Sequence, residues 1–290
     1  MMTVQECIQY VESHLEIRIA TENGAYTCGR TIVPNGAVNH SVGCAQPNPD
    51  VFFKNMNKAS AGWGVNAIIG GFHQGEGKII LCLRFDKNTK RCSRNWGVGS
   101  GKKGSWNNTR IQWEICEPAG HTYAGGTMIG YDVAKNQPFF DRMWKLVVAW
   151  NVYCAKIFGY DPCMIGDHAE SYKAGMGGNH GDVAHWWPKH GKTMDDLRAE
   201  VKAILDAETE DDDMDVKRFK ELYNEMRKEL QDNDAGTWSA EAREWAVSTG
   251  LVVGGDKLPD GSPNYMWADG MTREQLVTVL FRFAQMLGKA

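Results

Sequence analysis

Residues 110–118 read RIQWEICEP, and in them Ile111, Trp113 and Ile115 alternate with Gln112 and Glu114. A period of two is that of a β-strand, so one face of this run is apolar and the other carries an amide and a carboxylate. Upstream the same grammar repeats. TIVPNGAVNHSVG (31–43), GWGVNAIIGG (62–71) and KIILCLRF (78–85) are short apolar runs set between Gly, Asn and Pro, the pattern of strands joined by turns. Downstream the period changes. FFDRMWKLVVAWNVYCAKIFGY (139–160) spaces its apolar residues by three and four and closes at Gly159, which predicts a buried helix after Pro138. TMDDLRAEVKAIL (193–205) predicts a second helix, with Thr193 as N-cap and Asp195 and Asp196 in the first turn. Strands followed by packed helices make an α/β domain, with a mixed central β-sheet flanked by helices, over residues 1–207.

The remainder differs in composition. Residues 208–235 are dense in charge and poor in large apolar side chains, as in a partly helical linker. Residues 236–290 hold two amphipathic patterns around a Gly/Pro/Asp loop. Their Trp238, Trp245, Tyr265, Trp267 and Phe281 are expected to form a compact core for a small helical module.

Bulk properties exclude some partners. A net charge of −4 over 290 residues gives no pull toward nucleic acid. No uninterrupted apolar stretch reaches the roughly 18 residues of a membrane span. The first 20 residues interrupt their apolar positions with Glu and Gln at helical spacing, which predicts an amphipathic helix and no signal peptide. The eight cysteines contain no C-x-x-C pair, so free thiols are expected in place of a zinc ribbon or disulfide frame. Eleven tryptophans suit stacking on sugar rings and suit a protein core equally.

The candidate chemistry lies in two places. His40 follows an apolar strand in GAVNHSVG, and DHAESYKAGMGGNHGDVAHWWP (167–188) threads His168, His180, Asp182 and His185 through a Gly-rich segment that reads as a loop. Two imidazoles and one carboxylate are a ligand set for catalytic Zn2+, with the fourth position left to water. Asp182 and His185 both compete for the third place. Beside such a site Glu114 would be a general base; on an edge strand it would simply face solvent.

From Ile32 to about Leu205 the chain resembles the type 2 N-acetylmuramoyl-L-alanine amidase family, which includes T7 lysozyme-like amidases and shares its fold with peptidoglycan recognition proteins. VNHSVGCAQPNP, GVNAIIG, GSGKKGSWNNTRIQWEICEP and DHAESYKAGMGGNHGDVAHWWPKHGKTMDDLR carry the resemblance, in the form found in phage and prophage endolysins of Gram-positive bacteria. It implies a peptidoglycan hydrolase that cuts the amide between N-acetylmuramic acid and L-alanine with zinc-activated water. His40, His168 and Asp182 then fall on the zinc ligands, and Glu114 on the strand glutamate. His180 stands where many members carry an oxyanion-holding Lys.

Two departures touch substrate contacts. Trp96 is followed by Gly97 where members commonly show Trp-His, and Trp63 and Asn66 stand where some relatives place a catalytic Tyr. Asn66, Trp96, Trp106, Asn107 and Asn108 are the substrate-binding candidates, with Lys102 and Lys103 in the same GSGKKGSWNN loop as the last three. Relatives lacking ligands bind peptidoglycan without cutting it, so a non-catalytic peptidoglycan-binding protein on the same fold is the alternative. Residues 236–290 resemble one S-layer-homology repeat, which implies attachment to a secondary cell-wall polymer or self-association into a homo-oligomer. Synthesis in the host cytoplasm and action on the wall after release complete the expectation.

Overall fold

The computed structural model describes residues 2–212, 216–230 and 233–289. They form two compact units that divide between Asp211 and Asp212. The first unit runs α1 (Val4–His14), β1 (Leu15–Ile17), α2 (Gly24–Thr27), β2 (Thr31–Ile32), β3 (Ala37–Ser41), α3 (Pro49–Met56), β4 (Ala67–Gly70), β5 (Lys78–Leu81), β6 (Phe85–Asp86), β7 (Arg91–Ser93) and β8 (Ile111–Ile115). It continues through β9 (Thr122–Ala124), β10 (Thr127–Ile129), α4 (Val133–Phe158), β11 (Ile165–Asp167), α5 (His168–Lys173) and α6 (Met194–Asp212).

Six strands make the central sheet in the order β1-β5-β4-β8-β3-β11. All neighbours run parallel except β4 and β5. The architecture is therefore the mixed α/β sheet that the alternating and helical periods predict. β8 lies inside the sheet, between β4 and β3, so Glu114 is not on an edge strand.

The two faces of β8 do different work. Ile111, Trp113 and Ile115 are buried in the main core with residues of α1 and α4. Trp113 meets Trp150 of α4 edge-on at 5.9 Å, a contact that adds about 0.5–1.5 kcal/mol to area burial. A smaller cluster covers the other face, where Phe53 and Met56 of α3 pack on Val65, Ile68 and Ile80.

α4 begins at Val133, earlier than its apolar period indicates, and contains Pro138. Val133, Ala134 and Lys135 of its first turn are exposed and add no repeat of large apolar residues, so periodicity had little to detect there. The start is fixed instead by Asp132, whose side chain accepts from the Lys135 amide, and the end by Gly159 at φ 76°. α6 is capped by Thr193, which exchanges hydrogen bonds with Asp196, and runs on to Asp212, into the stretch expected to be linker.

One buried polar group ties three elements together. Asn39 Oδ1 on β3 accepts from the Trp113 indole of β8 at 2.7 Å and from the Asn151 amide of α4 at 3.1 Å. All three residues are fully buried.

The second unit contains α7 (Val216–Leu230), α8 (Ala240–Ser248) and α9 (Arg273–Met286). Arg227 makes two hydrogen bonds to Asp269, at 2.9 and 2.6 Å, and Asn233 bonds Pro263 and Tyr265. The expected aromatic core is not formed. Trp238 is 91 % exposed and Phe281 54 %, and among the described residues of this unit only Leu251 is buried. Two short helices and a loop enclose too little volume for five large rings. Among the described residues no helix is long and apolar enough to cross a membrane.

Substituting Asn39→Ala removes the acceptor of the Trp113 indole and one of the two acceptors of the Asn151 amide, and is expected to cost about 2–4 kcal/mol in urea unfolding. An unchanged midpoint would show that Asn39 does not join the layers.

Candidate metal centre

β3 and β8 set the site by register. His40 pairs with Glu114 across the parallel ladder, and Val38 with Gln112, so His40, Gln112 and Glu114 share one face. His168 arrives from the far side of β3, at the start of α5 just after β11. That segment is helical, against the loop reading of residues 167–188. Asp167 caps it and Glu170 closes the reciprocal bond, a capping box legible as D-x-x-E. Asp182 then opens a short 3-10 turn, Asp182–His185, with φ at +28°, a region unfavourable for any residue but glycine.

The three groups converge. Asp182 Oδ2 lies 2.7 Å from Nδ1 of His40 and 3.0 Å from Nδ1 of His168, and all three residues are buried. Among the described residues this is the one cluster of His, Cys, Asp or Glu that could hold a metal ion. His185 is not in it. Its Nε2 faces Glu117 at 3.1 Å and Ser41 Oγ at 3.2 Å.

The opposite nitrogens reveal what the centre needs. His168 Nε2 sits 3.2 Å from the Val98 carbonyl, which can only accept a proton. His40 Nε2 sits 3.0 Å from Gln112 Oε1, and the Gln112 amide nitrogen donates to Asn107 Oδ1 at 3.0 Å. Both rings therefore carry their proton on Nε2 and turn Nδ1 lone pairs toward a carboxylate. Three acceptors meeting in a buried space require a cation between them, either a proton or a metal. Burial works against a charge on His40, but the Asp182 carboxylate outweighs it and holds the ring up at about 9. Asp182, despite its own burial, is pulled below the usual carboxylate range by the two histidines. The two spacings to Asp182, 2.7 and 3.0 Å, are shorter than the roughly 3.3 Å between tetrahedral ligands at about 2.0–2.1 Å from zinc, so the donor set fits a metal once these groups part by a few tenths of an ångström.

Glu114 stands apart from these contacts. Its Oε2 is sealed from solvent with no hydrogen-bond partner, although the residue as a whole is only half-buried. Burial pushes its carboxyl up to about 7; His40 pulls against this, and the carboxylates of Asp182 and Glu117 add to it. A cleft of about 250 Å³ opens beside it, lined by Val42, Phe52, Asn55 and Trp63. His180 is exposed and stacks on His168, with ring centroids 4.7 Å apart.

The substrate-contact candidates divide. Asn66 is fully buried, its side chain accepting from the Gln112 amide and donating to the Ser93 carbonyl, within the scaffold of the sheet. Asn107 is buried likewise: its Oδ1 accepts from Gly97, Val98 and Gln112, which ties it to the support of His40. Trp96 is half-buried against Gly24, and Trp106 has one face covered by the Arg110 guanidinium at 3.4 Å. Asn108 is exposed and accepts from Arg94. Sequence reading missed Glu117, a fully buried carboxylate that accepts from His121, Tyr123, His185 and the Gly43 amide. EICEP gave only the hint of a second Glu just beyond the strand.

The fold and site thus define a mixed α/β protein with a buried His-His-Asp group able to hold a metal. No family model matches the chain, and no curated protein does. Among solved structures, the Staphylococcus aureus hydrolase AmiA in complex with its ligand is similar at 17 % identity and TM-score 0.47, over 68 % of this chain and 89 % of that one. The PlyG catalytic domain follows at 13 % and 0.46, over 65 % and 93 %. A mutant endolysin from Bacillus subtilis is similar at 13 % and 0.43, over 64 % and 97 %.

Gly97 explains how tightly the support is built. A Cβ there would collide with Gln112 Oε1 and stand 3.1 Å from His40 Nε2. Gly97→Ala is expected to weaken metal binding by about 10–100-fold in a chelator-competition titration, the usual cost of disturbing a ligand's hydrogen-bond partner. Equal affinity in both proteins would mean that Gln112 does not orient His40.

Proposed function

We propose that this chain is a zinc-dependent peptidoglycan amidase that hydrolyses the bond between N-acetylmuramic acid and L-alanine. One observation carries the reading. Two Nδ1 lone pairs and the Asp182 carboxylate meet at one buried point, and the unpartnered carboxyl of Glu114 stands in register with the first of those histidines. The motifs shared with type 2 amidases support the same roles.

In this reading His40, His168 and Asp182 hold Zn2+. The ion supplies Lewis-acid chemistry, polarising a carbonyl and lowering the pKa of water toward about 7. Glu114 does the proton work. Its carboxylate, half-buried and facing the cleft lined by Trp63 and Asn55, accepts the proton of the attacking water and later returns it to the departing nitrogen of L-alanine. His180, exposed and stacked on His168, would hold the developing oxyanion, the role its position in the family motif implies. Gln112, Asn107 and the Val98 carbonyl keep the two imidazoles turned. Residues 236–290 serve as a module for wall attachment or self-association, a role supported by their sequence pattern.

Purified Gram-positive walls digested with the zinc-loaded protein are expected to release L-alanine amino termini without new reducing sugar ends. Reducing ends in their place would mean that a glycosidic bond is cut and the amidase reading is wrong. Glu114→Gln is expected to keep one zinc per chain while kcat falls by about 10²–10⁴-fold. His40→Ala and Asp182→Ala should lose both metal and turnover. If Glu114→Gln turned over normally, the proton carrier would have to be sought elsewhere.

A further inference from the structure

Helix α7, VKRFKELYNEMRKEL over Val216–Leu230, places Val216, Phe219, Tyr223, Met226 and Leu230 at successive spacings of three, four, three and four. A mean repeat of about 3.5 residues is that of positions a and d in a coiled coil, where two helices wind together along one apolar seam. All five residues are exposed, from 36 % at Leu230 to 71 % at Val216, while every other position of the helix except Leu222 is polar or charged. We propose that this seam pairs α7 with α7 of a second copy of the chain, so that the protein associates through residues 216–230.

The width of the stripe says what covers it. A helix lying on a globular core turns a face of about 100° or more toward it, whereas a strict a and d stripe is the narrower seam of a helix pair. α7 is of the second kind, with Lys220 and Arg227 beside the seam at e, Glu229 at g, and Leu222 as the one apolar neighbour. A second copy carries the matching spacing by identity. The seam is also ordered in advance, which lowers the cost of pairing: the rings of Phe219 and Tyr223 stack at 6.1 Å, and the Arg227 guanidinium lies 5.9 Å from the Tyr223 ring. Burial is what this part of the chain lacks. Among the described residues of the second unit only Leu251 is buried, so association supplies apolar contact that the unit does not make within itself. On a scale of roughly 150–250 Å² for a large side chain, these half-exposed residues leave on the order of 500 Å² per chain to cover. That is less than the about 800 Å² per partner of a standard stable interface, so the pair is expected to form reversibly, in the micromolar range.

Pairing has a consequence for the C-terminal module. Arg227 fastens α7 to Asp269 at 2.9 and 2.6 Å, and Asn233, just beyond the helix, donates to the Pro263 carbonyl. The Arg227 clamp sits at an e position, beside the seam, and leaves all five seam residues exposed. Joining two α7 helices therefore brings two C-terminal modules into one assembly. Two weak attachments on one particle act together, and their avidity can exceed either affinity by about 10²–10⁴-fold without any new contact. Self-association is thereby assigned to residues 216–230, outside the module itself, and it is independent of the amidase reading.

Sedimentation velocity of the full chain between about 1 and 100 µM tests the pairing. The wild type is expected to shift from the mass of one chain toward that of two. Phe219→Glu/Met226→Glu sets charges into the seam at exposed positions where the fold does not need the originals, and should weaken the dimer at least about tenfold with the helical circular dichroism of dilute protein unchanged. Lys228→Glu, on the outer face of the same helix, should leave the dimer intact, and Phe219→Leu/Met226→Leu should retain it. A wild type that stays monomeric throughout, or a dimer undiminished in Phe219→Glu/Met226→Glu, overturns the proposal. Dissociation by Leu280→Glu/Phe283→Glu alone would move the interface to α9 and overturn it too. So would a monomer whose seam variant loses binding to purified walls, since the seam would then belong to a wall polymer.

Discussion

The register between β3 and β8 is the constraint on which the site depends. Because His40 stands opposite Glu114 in a parallel ladder, a ligand and an unpartnered carboxyl share a face without any loop having to position either. A slip of one residue would exchange Glu114 for an apolar neighbour and turn Trp113 out of the core. The core therefore protects the site. Trp113 and Asn39 bind the other side of the same two strands to α4, so the burial that stabilises the fold also fixes the register.

Support from behind completes the centre. The Val98 carbonyl and the Gln112 amide face the Nε2 atoms, and Asn107 holds both Gln112 and the Val98 amide. Gly97 supplies the room for this. One short segment, 97–107, thus supports two histidines from different elements, His40 of β3 and His168 of α5.

Much of this was legible in residues 110–118, since strict alternation separates the core face from the polar face before any contact is known. The inner position of β8 was not legible, because sheet order depends on pairings between distant segments. It removed the edge-strand reading of Glu114. DHAE carried a capping box that located His168 at a helix start, yet glycines downstream made the whole segment read as loop. Asn66 looked like a contact residue because it stands where some relatives place a catalytic Tyr, and Asn107 because it lies in the loop before the strand glutamate. Both proved to satisfy buried backbone groups, a role that only the fold reveals. In the second unit, aromatic content predicted a core that two short helices could not enclose.

The central claim concerns where a cation sits. Anomalous diffraction at the zinc edge from metal-loaded crystals addresses it directly. One peak is expected, within bonding distance of Nδ1 of His40, Nδ1 of His168 and a carboxylate oxygen of Asp182. A peak instead at the Glu117, His121 and His185 group, or ligation through the Nε2 atoms, would contradict it.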